Sequence, residues 1–217
     1  MIKTLRDPVS GFTHFIGAIL SVIGLIVLIY KSTDPVKPWH LATFSVFGAA
    51  LILLYTSSTL YHWLPVSEKG IQCMRRVDHI MIFILIAATY TPICLIPLRG
   101  PWGWSLFGSI WGLAMLGIFL KVFWLQAPRW FSTSVYILMG WVAIVGILPL
   151  VRALHIDGFL WILAGGLFYT SGAIIYAVRK PDPWPRFFGF HEVFHVFVML
   201  GSLSHFWVMY RYVAPFN

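Results

Sequence analysis

Charge is what this sequence of 217 residues has least of. Asp, Glu, Lys and Arg together make up 10%, against roughly 25% in soluble domains. With 59% hydrophobic residues, that shortage excludes a water-soluble globular domain. Acidic residues are scarcer still, seven against 15 Lys and Arg, and none follows Glu192. There are two cysteines. Cys73 is predicted in a loop and Cys94 about 20 residues along a helix, roughly 30 Å away, too far for a disulfide. No internal repeat, low-complexity segment or amphipathic cytolytic helix is visible. The basic excess is spread in twos and threes rather than in a stripe, which excludes a nucleic-acid-binding surface.

What is present is a succession of apolar runs of about 20 residues, the length that crosses the hydrocarbon core of a bilayer. Seven spans are predicted, at about 10–30, 39–64, 77–98, 102–124, 131–151, 158–178 and 187–210. The fold class is therefore an all-α, seven-transmembrane-helix bundle, a single integral membrane domain over residues 1–217. Met1 to Arg6 resembles a signal n-region, but the apolar run behind it is too long for a signal peptide and is read as a retained first helix. Trp39, Trp63, Trp102, Trp104, Trp124, Trp130 and Trp184 fall near predicted membrane boundaries, and Trp111, Trp141, Trp161 and Trp207 deeper, as packing residues.

Ten basic residues fall on one side (Lys3, Arg6, Lys69, Arg75, Arg76, Lys121, Arg129, Arg179, Lys180 and Arg186). Five fall on the other (Lys31, Lys37, Arg99, Arg152 and Arg211). The bias predicts a cytoplasmic N-terminus and an external C-terminus. It also brings His14, His62, Asp78, His191 and His195 to one depth, within a turn or two of the cytoplasmic face.

His191 and His195 are four residues apart, so both imidazoles lie on one helical face and can reach one metal ion. Ser58 and His62 share a face by the same spacing. His62 would add a third nitrogen and leave a fourth position open, the arrangement of catalytic zinc; an open position lets the metal lower the pKa of water. Ser58 could hold that water or polarise a carbonyl, and Asp78 could act as acceptor or general base. Plainer alternatives stand beside each assignment. The helix-seven pair could hydrogen-bond within the bundle, His62 could reach to the interface, and Asp78 could complement a helix dipole. His14 is a support for the metal ligands, a gate or a satisfied helix-end histidine, while His40 and His155 are structural. His191-Glu192-x-x-His195 also satisfies the zinc-peptidase pattern H-E-x-x-H. The acidic third ligand that an intramembrane metalloprotease would need further along is missing.

On Asp7-x-x-Ser10-x-x-Thr13-His14, Ser58-x-x-x-His62 followed by Asp78, and His191-x-x-x-His195, the sequence resembles the hemolysin III proteins. These are the bacterial branch of the progestin and adipoQ receptor family, related more distantly to alkaline ceramidases. The resemblance covers nearly the whole chain. It implies a seven-helix bundle in a bacterial inner membrane, with Zn2+ held near the cytoplasmic face by His62, His191 and His195. Asp78 would contact the ion through water, with Ser58 beside it. The family's first motif usually has Glu and Asn where this chain has Asp7 and Ser10, and relatives often carry another residue at Glu192, which makes Glu192 incidental.

The expected function is zinc-dependent hydrolysis of a membrane lipid amide or ester, with substrate entering laterally between helices. The alternatives are a receptor-like or membrane-homeostasis protein with structural zinc, a membrane-permeabilising hemolysin, and an H-E-x-x-H metalloprotease.

Overall fold

Polar side chains face inward and apolar ones outward, the reverse of a water-soluble protein. In the computed structural model, which describes residues 5–185 and 187–216, His14, Ser58, His62, Lys121 and His195 are at most 4% exposed. Ile26, Leu116, Phe119, Leu138 and Leu148 are at least 63% exposed. Such an exterior is at home only in lipid.

The described residues form α1 (Pro8–Tyr30), α2 (Pro38–Trp63), α3 (Glu68–Leu95), α4 (Pro101–Phe123), α5 (Arg129–Gly140), α6 (Ile147–Val178) and α7 (Phe190–Val208). A 3-10 turn over Trp141–Gly146 joins α5 to α6, and a π turn over Met209–Val213 extends α7. There is no strand among the described residues. Proline stands at the first helical position of α1, α2 and α4, where its fixed φ suits the helix and its missing N–H costs nothing.

Six helical segments are long and apolar enough to cross a membrane. One of them runs for 50 residues, Arg129–Val178, about 75 Å if straight. It is not straight. His155 has φ 55° and ψ 169°, which no helix accommodates. Beyond it the chain folds back, since the Trp141 indole donates to Thr170 Oγ1 at 2.9 Å and the Arg129 guanidinium reaches the Tyr176 carbonyl at 3.4 Å.

α3 begins at Glu68, nine residues before the expected boundary at Val77. Ser67 caps it by accepting from the Gly70 N–H, and Glu68 sits in the favourable first turn. Hydropathy does not register this polar opening, and Cys73 accordingly lies in a helix rather than a loop. Trp161 and Trp207, expected as packing residues, lie against each other (6.2 Å between rings) on the lipid-facing surface, 42% and 39% exposed. His40 is structural: its Nε2 bonds the Val213 carbonyl at 3.1 Å.

Around the bundle, α1 packs between α2 and α7, α7 against α6, α6 against α5, and α5 against α3 and α4. The α1–α2 contact is closest at Gly11, where a Cβ would lie 2.1 Å from the Trp63 indole. That indole donates to the Pro8 carbonyl at 3.1 Å, and the Asp7 N–H donates to the His62 carbonyl at 2.9 Å. The start of α1 is thus clamped to the end of α2. Gly11→Ala is expected to cost about 1–3 kcal/mol and lower the melting temperature in detergent. Gly112→Ala, where a Cβ meets nothing within 4 Å, should leave it unchanged or raise it.

Candidate metal centre

Two helical repeats supply the site. On α2, Ser58 and His62 lie one turn apart, and on α7 His191 and His195 do the same. The three histidines are separated by up to 133 positions in sequence, yet one ligand nitrogen from each lies within 4.8 Å of the others. His62 Nε2 and His191 Nε2 are 3.1 Å apart, and the His195 ring centre is 4.5 Å from that of His191 and 5.2 Å from that of His62. Among the described residues, this is the group of His, Cys, Asp and Glu side chains that could hold a metal ion.

Hydrogen bonding on the far side of two rings decides which nitrogens face the centre. His62 Nδ1 is 3.2 Å from Asp7 Oδ2. A carboxylate only accepts, so Nδ1 carries the proton and Nε2 presents a lone pair inward. His195 Nδ1 lies 3.2 Å from the Ser10 carbonyl and 3.0 Å from Thr13 Oγ1. Thr13 spends its own proton on the Ser10 carbonyl at 2.8 Å, so the imidazole must be the donor here as well. This is the arrangement in which an acceptor fixes the tautomer and heading of a metal-binding imidazole. With His62 Nε2 unprotonated, a cation between it and His191 Nε2 would satisfy both. Nitrogens bound tetrahedrally at about 2.0–2.1 Å sit about 3.4 Å apart, close to the separation found. The residues fit a metal ion.

Asp7, at the mouth of α1, is held ionised. The hydrogen bond from His62, aided by the Arg6 guanidinium 3.1 Å away, sets its carboxyl below the ordinary range. Asp78, on α3, is partly buried. Asp78, Ser58 and the three histidines all line one cavity of about 850 Å³, within the range of small-molecule sites. Beyond them its wall turns apolar, through Leu54, Ile82, Ile86, Leu150, Ile162 and Leu163.

His14 is buried and stacked on His195, with ring centres 3.6 Å apart and planes 12° apart. Neither of its nitrogens has a hydrogen-bond partner among the described residues. It stands beside the site, at the edge of the cavity. Glu192 does not face the imidazoles. Its carboxylate accepts from the Ser10 hydroxyl and, at 2.8 Å, from the Gly189 N–H, so it caps α7 and ties it to α1.

A family profile described as "Haemolysin-III related" matches residues 2–206. The chain is 41% identical over 218 aligned residues to Hemolysin-3 of Bacillus cereus, covering 99% of this chain and 95% of that one. This chain belongs to the haemolysin-III family. It is also 35% identical to the Hemolysin-3 homolog of Bacillus subtilis (strain 168), covering 96% of this chain and 95% of that one. Against Heptahelical transmembrane protein 5 of Arabidopsis thaliana it is 32% identical, over 79% of this chain and 50% of that one. Together with six apolar helical segments, membership makes this haemolysin-III protein an integral protein of the bacterial plasma membrane.

Sequence reasoning placed His14, His62, Asp78, His191 and His195 at one depth and Ser58 on the face of His62, and in the structure all six line one cavity. It missed Asp7, Ser10 and Thr13 as the acceptors that aim the rings. Their signal was the spacing i, i+3, i+6 along the first turns of α1. Asp7→Ala is expected to lower transition-metal affinity about 10–100-fold, read by chelator competition. Glu192→Gln should leave that affinity within about twofold, since Glu192 turns away from the centre.

Proposed function

We propose that this haemolysin-III protein is a zinc-dependent intramembrane hydrolase of lipid amides or esters. In this reading a single membrane domain crosses the bilayer seven times, with the N-terminus cytoplasmic and the C-terminus outside. The fold-back at His155 supports counting the 50-residue segment as two crossings, as does the name of the heptahelical relative. The positive residues support the orientation, eight of the ten on the cytoplasmic side lying among the described residues; Lys3 and Arg186 lie outside them.

One observation carries the reading. Three imidazole nitrogens open onto a cavity that is polar where they stand and apolar beyond. A structural metal is enclosed by its ligands, whereas a catalytic one faces space for a substrate. Three imidazoles suit Zn2+ among the available metals, and bound zinc supplies Lewis acidity and activates water at neutral pH.

The protein's own groups do the rest. Asp7 and the Ser10 carbonyl keep the His62 and His195 Nε2 atoms unprotonated and aimed inward. Asp78 accepts the proton of the attacking water and passes it to the leaving amine or alcohol. Ser58 orients water or the scissile carbonyl through its hydroxyl. The apolar wall beyond holds the acyl chain, which enters laterally between helices, and it keeps bulk water from the reacting carbonyl.

A receptor-like or membrane-homeostasis role with structural zinc is the second reading, favoured by the way the histidines join α2 to α7. The relatives' names raise membrane permeabilisation, which release of a vesicle-entrapped dye would register. Metallopeptidase chemistry is disfavoured by the engagement of Glu192 with Ser10 and Gly189. The deciding experiment uses purified protein with defined lipid amides and esters. Asp78→Asn is expected to retain about one zinc per chain and its melting temperature while turnover falls about 10²–10⁴-fold. If wild-type protein cleaves no lipid and His62→Ala only lowers the melting temperature, the structural reading replaces this one.

A further inference from the structure

The cavity holds more positive charge than its one carboxylate can balance. Arg75 from α3, Lys121 from α4 and Arg129 from α5 all line it, and Asp78 is the only acidic residue among its lining. Lys121 is the telling member. It is 1% exposed, and among the described residues its ammonium has one partner, the neutral Ser132 hydroxyl at 2.6 Å. The ion pairs among the described residues, Arg6–Asp7 and His62–Asp7, involve none of the three. Arg129 lies over the Tyr176 ring at 4.6 Å, a contact that fixes its direction without neutralising it. His79, which also lines the cavity, has a buried Nδ1 with no partner among the described residues.

A lysine ammonium buried in a lipid-embedded bundle with only a hydroxyl for company is costly. The arrangement makes sense when an anion completes it. Three fixed cations against one carboxylate leave a surplus of two positive charges, and an ion held by the histidines would add to it. A phosphate monoester carries about −1.5 to −2 at neutral pH and offers three acceptor oxygens, whereas a fatty-acid carboxylate carries one charge. Arginine and lysine together are the usual donors to phosphate. The apolar wall of the same cavity offers a surface for a hydrocarbon chain.

We propose that Arg75, Lys121 and Arg129 form a headgroup site for a phosphate-bearing lipid, whose acyl chain lies along the apolar wall and whose ester or amide carbonyl reaches the histidine centre. The lipid class rests on the hydrolase reading of this cavity; the anion site itself does not. Binding is therefore measured without turnover, on the full chain freed of metal by chelation, in nanodiscs of neutral phosphatidylcholine.

The probes are a 1-acyl-glycerol 3-phosphate, the monoacylglycerol of the same chain length, glycerol 3-phosphate and the free fatty acid. The acyl-glycerol phosphate is expected to bind at least about tenfold tighter than the monoacylglycerol. Lys121→Met should abolish that preference while leaving monoacylglycerol binding unchanged. Replacing a buried charge by an apolar chain of similar length is compatible with folding; if the variant does not fold, Arg129→Gln reads the same preference. Equal binding of charged and uncharged lipid, or a preference that survives both substitutions, overturns the headgroup site. Glycerol 3-phosphate competing at the same concentration as the lipid overturns its lipid character, and equal binding of the fatty acid overturns the choice of phosphate. If the preference holds but no lipid is ever cleaved, the hydrolase reading fails and the anion site stands.

Discussion

An unpartnered imidazole nitrogen inside a lipid-facing bundle is costly, and at His62 and His195 the partners come from α1. His62 and His195 each give one nitrogen to an acceptor on α1, Asp7 and the Ser10 carbonyl respectively. The other nitrogen of each is left to a common centre with His191. Remove the acceptors and the rings could rotate or exchange tautomers, and the centre would lose its heading. Without an ion, the 3.1 Å approach of His62 Nε2 and His191 Nε2 requires a proton on the His191 nitrogen.

Seen this way α1 is more than a lipid-facing helix. Most of its surface is apolar and exposed, but its first turns lie between α2 and α7 and supply the parts that hold both. The Asp7 N–H binds the His62 carbonyl while its carboxylate binds the His62 ring. Ser10 spans to α7 twice, by its carbonyl to His195 and by its hydroxyl to Glu192. Gly11 permits the close approach to Trp63 that places them. Glu192, which the H-E-x-x-H pattern would make a base, instead caps its own helix and receives the serine.

The long apolar runs and the two four-residue pairs were legible in the sequence because helical periodicity alone puts Ser58 with His62 and His191 with His195. Their convergence followed from shared membrane depth, which the alternation of spans supplies. The acceptors on α1 were not legible, because their role depends on how α1 docks and not on what it contains. Lys121 misled for a physical reason: a basic residue in the last turn of an apolar helix reads as a boundary charge. Here it continues the buried row Ile110, Ala114, Gly117 of α4, and that spacing was the sign that it faces inward. The break at His155 lay within a short polar interval, Arg152 to Asp157, where composition marks a turn but not whether helix continues on both sides.

The central claim is that His62, His191 and His195 bind one ion together. Elemental analysis of protein purified without chelator tests it most directly, for the wild type and for the His191→Ala and His195→Ala variants. About one transition-metal ion per wild-type chain, with zinc predominant and lost in both folded variants, is the predicted result. Wild-type protein without bound transition metal, or variants that keep a full equivalent, would contradict it.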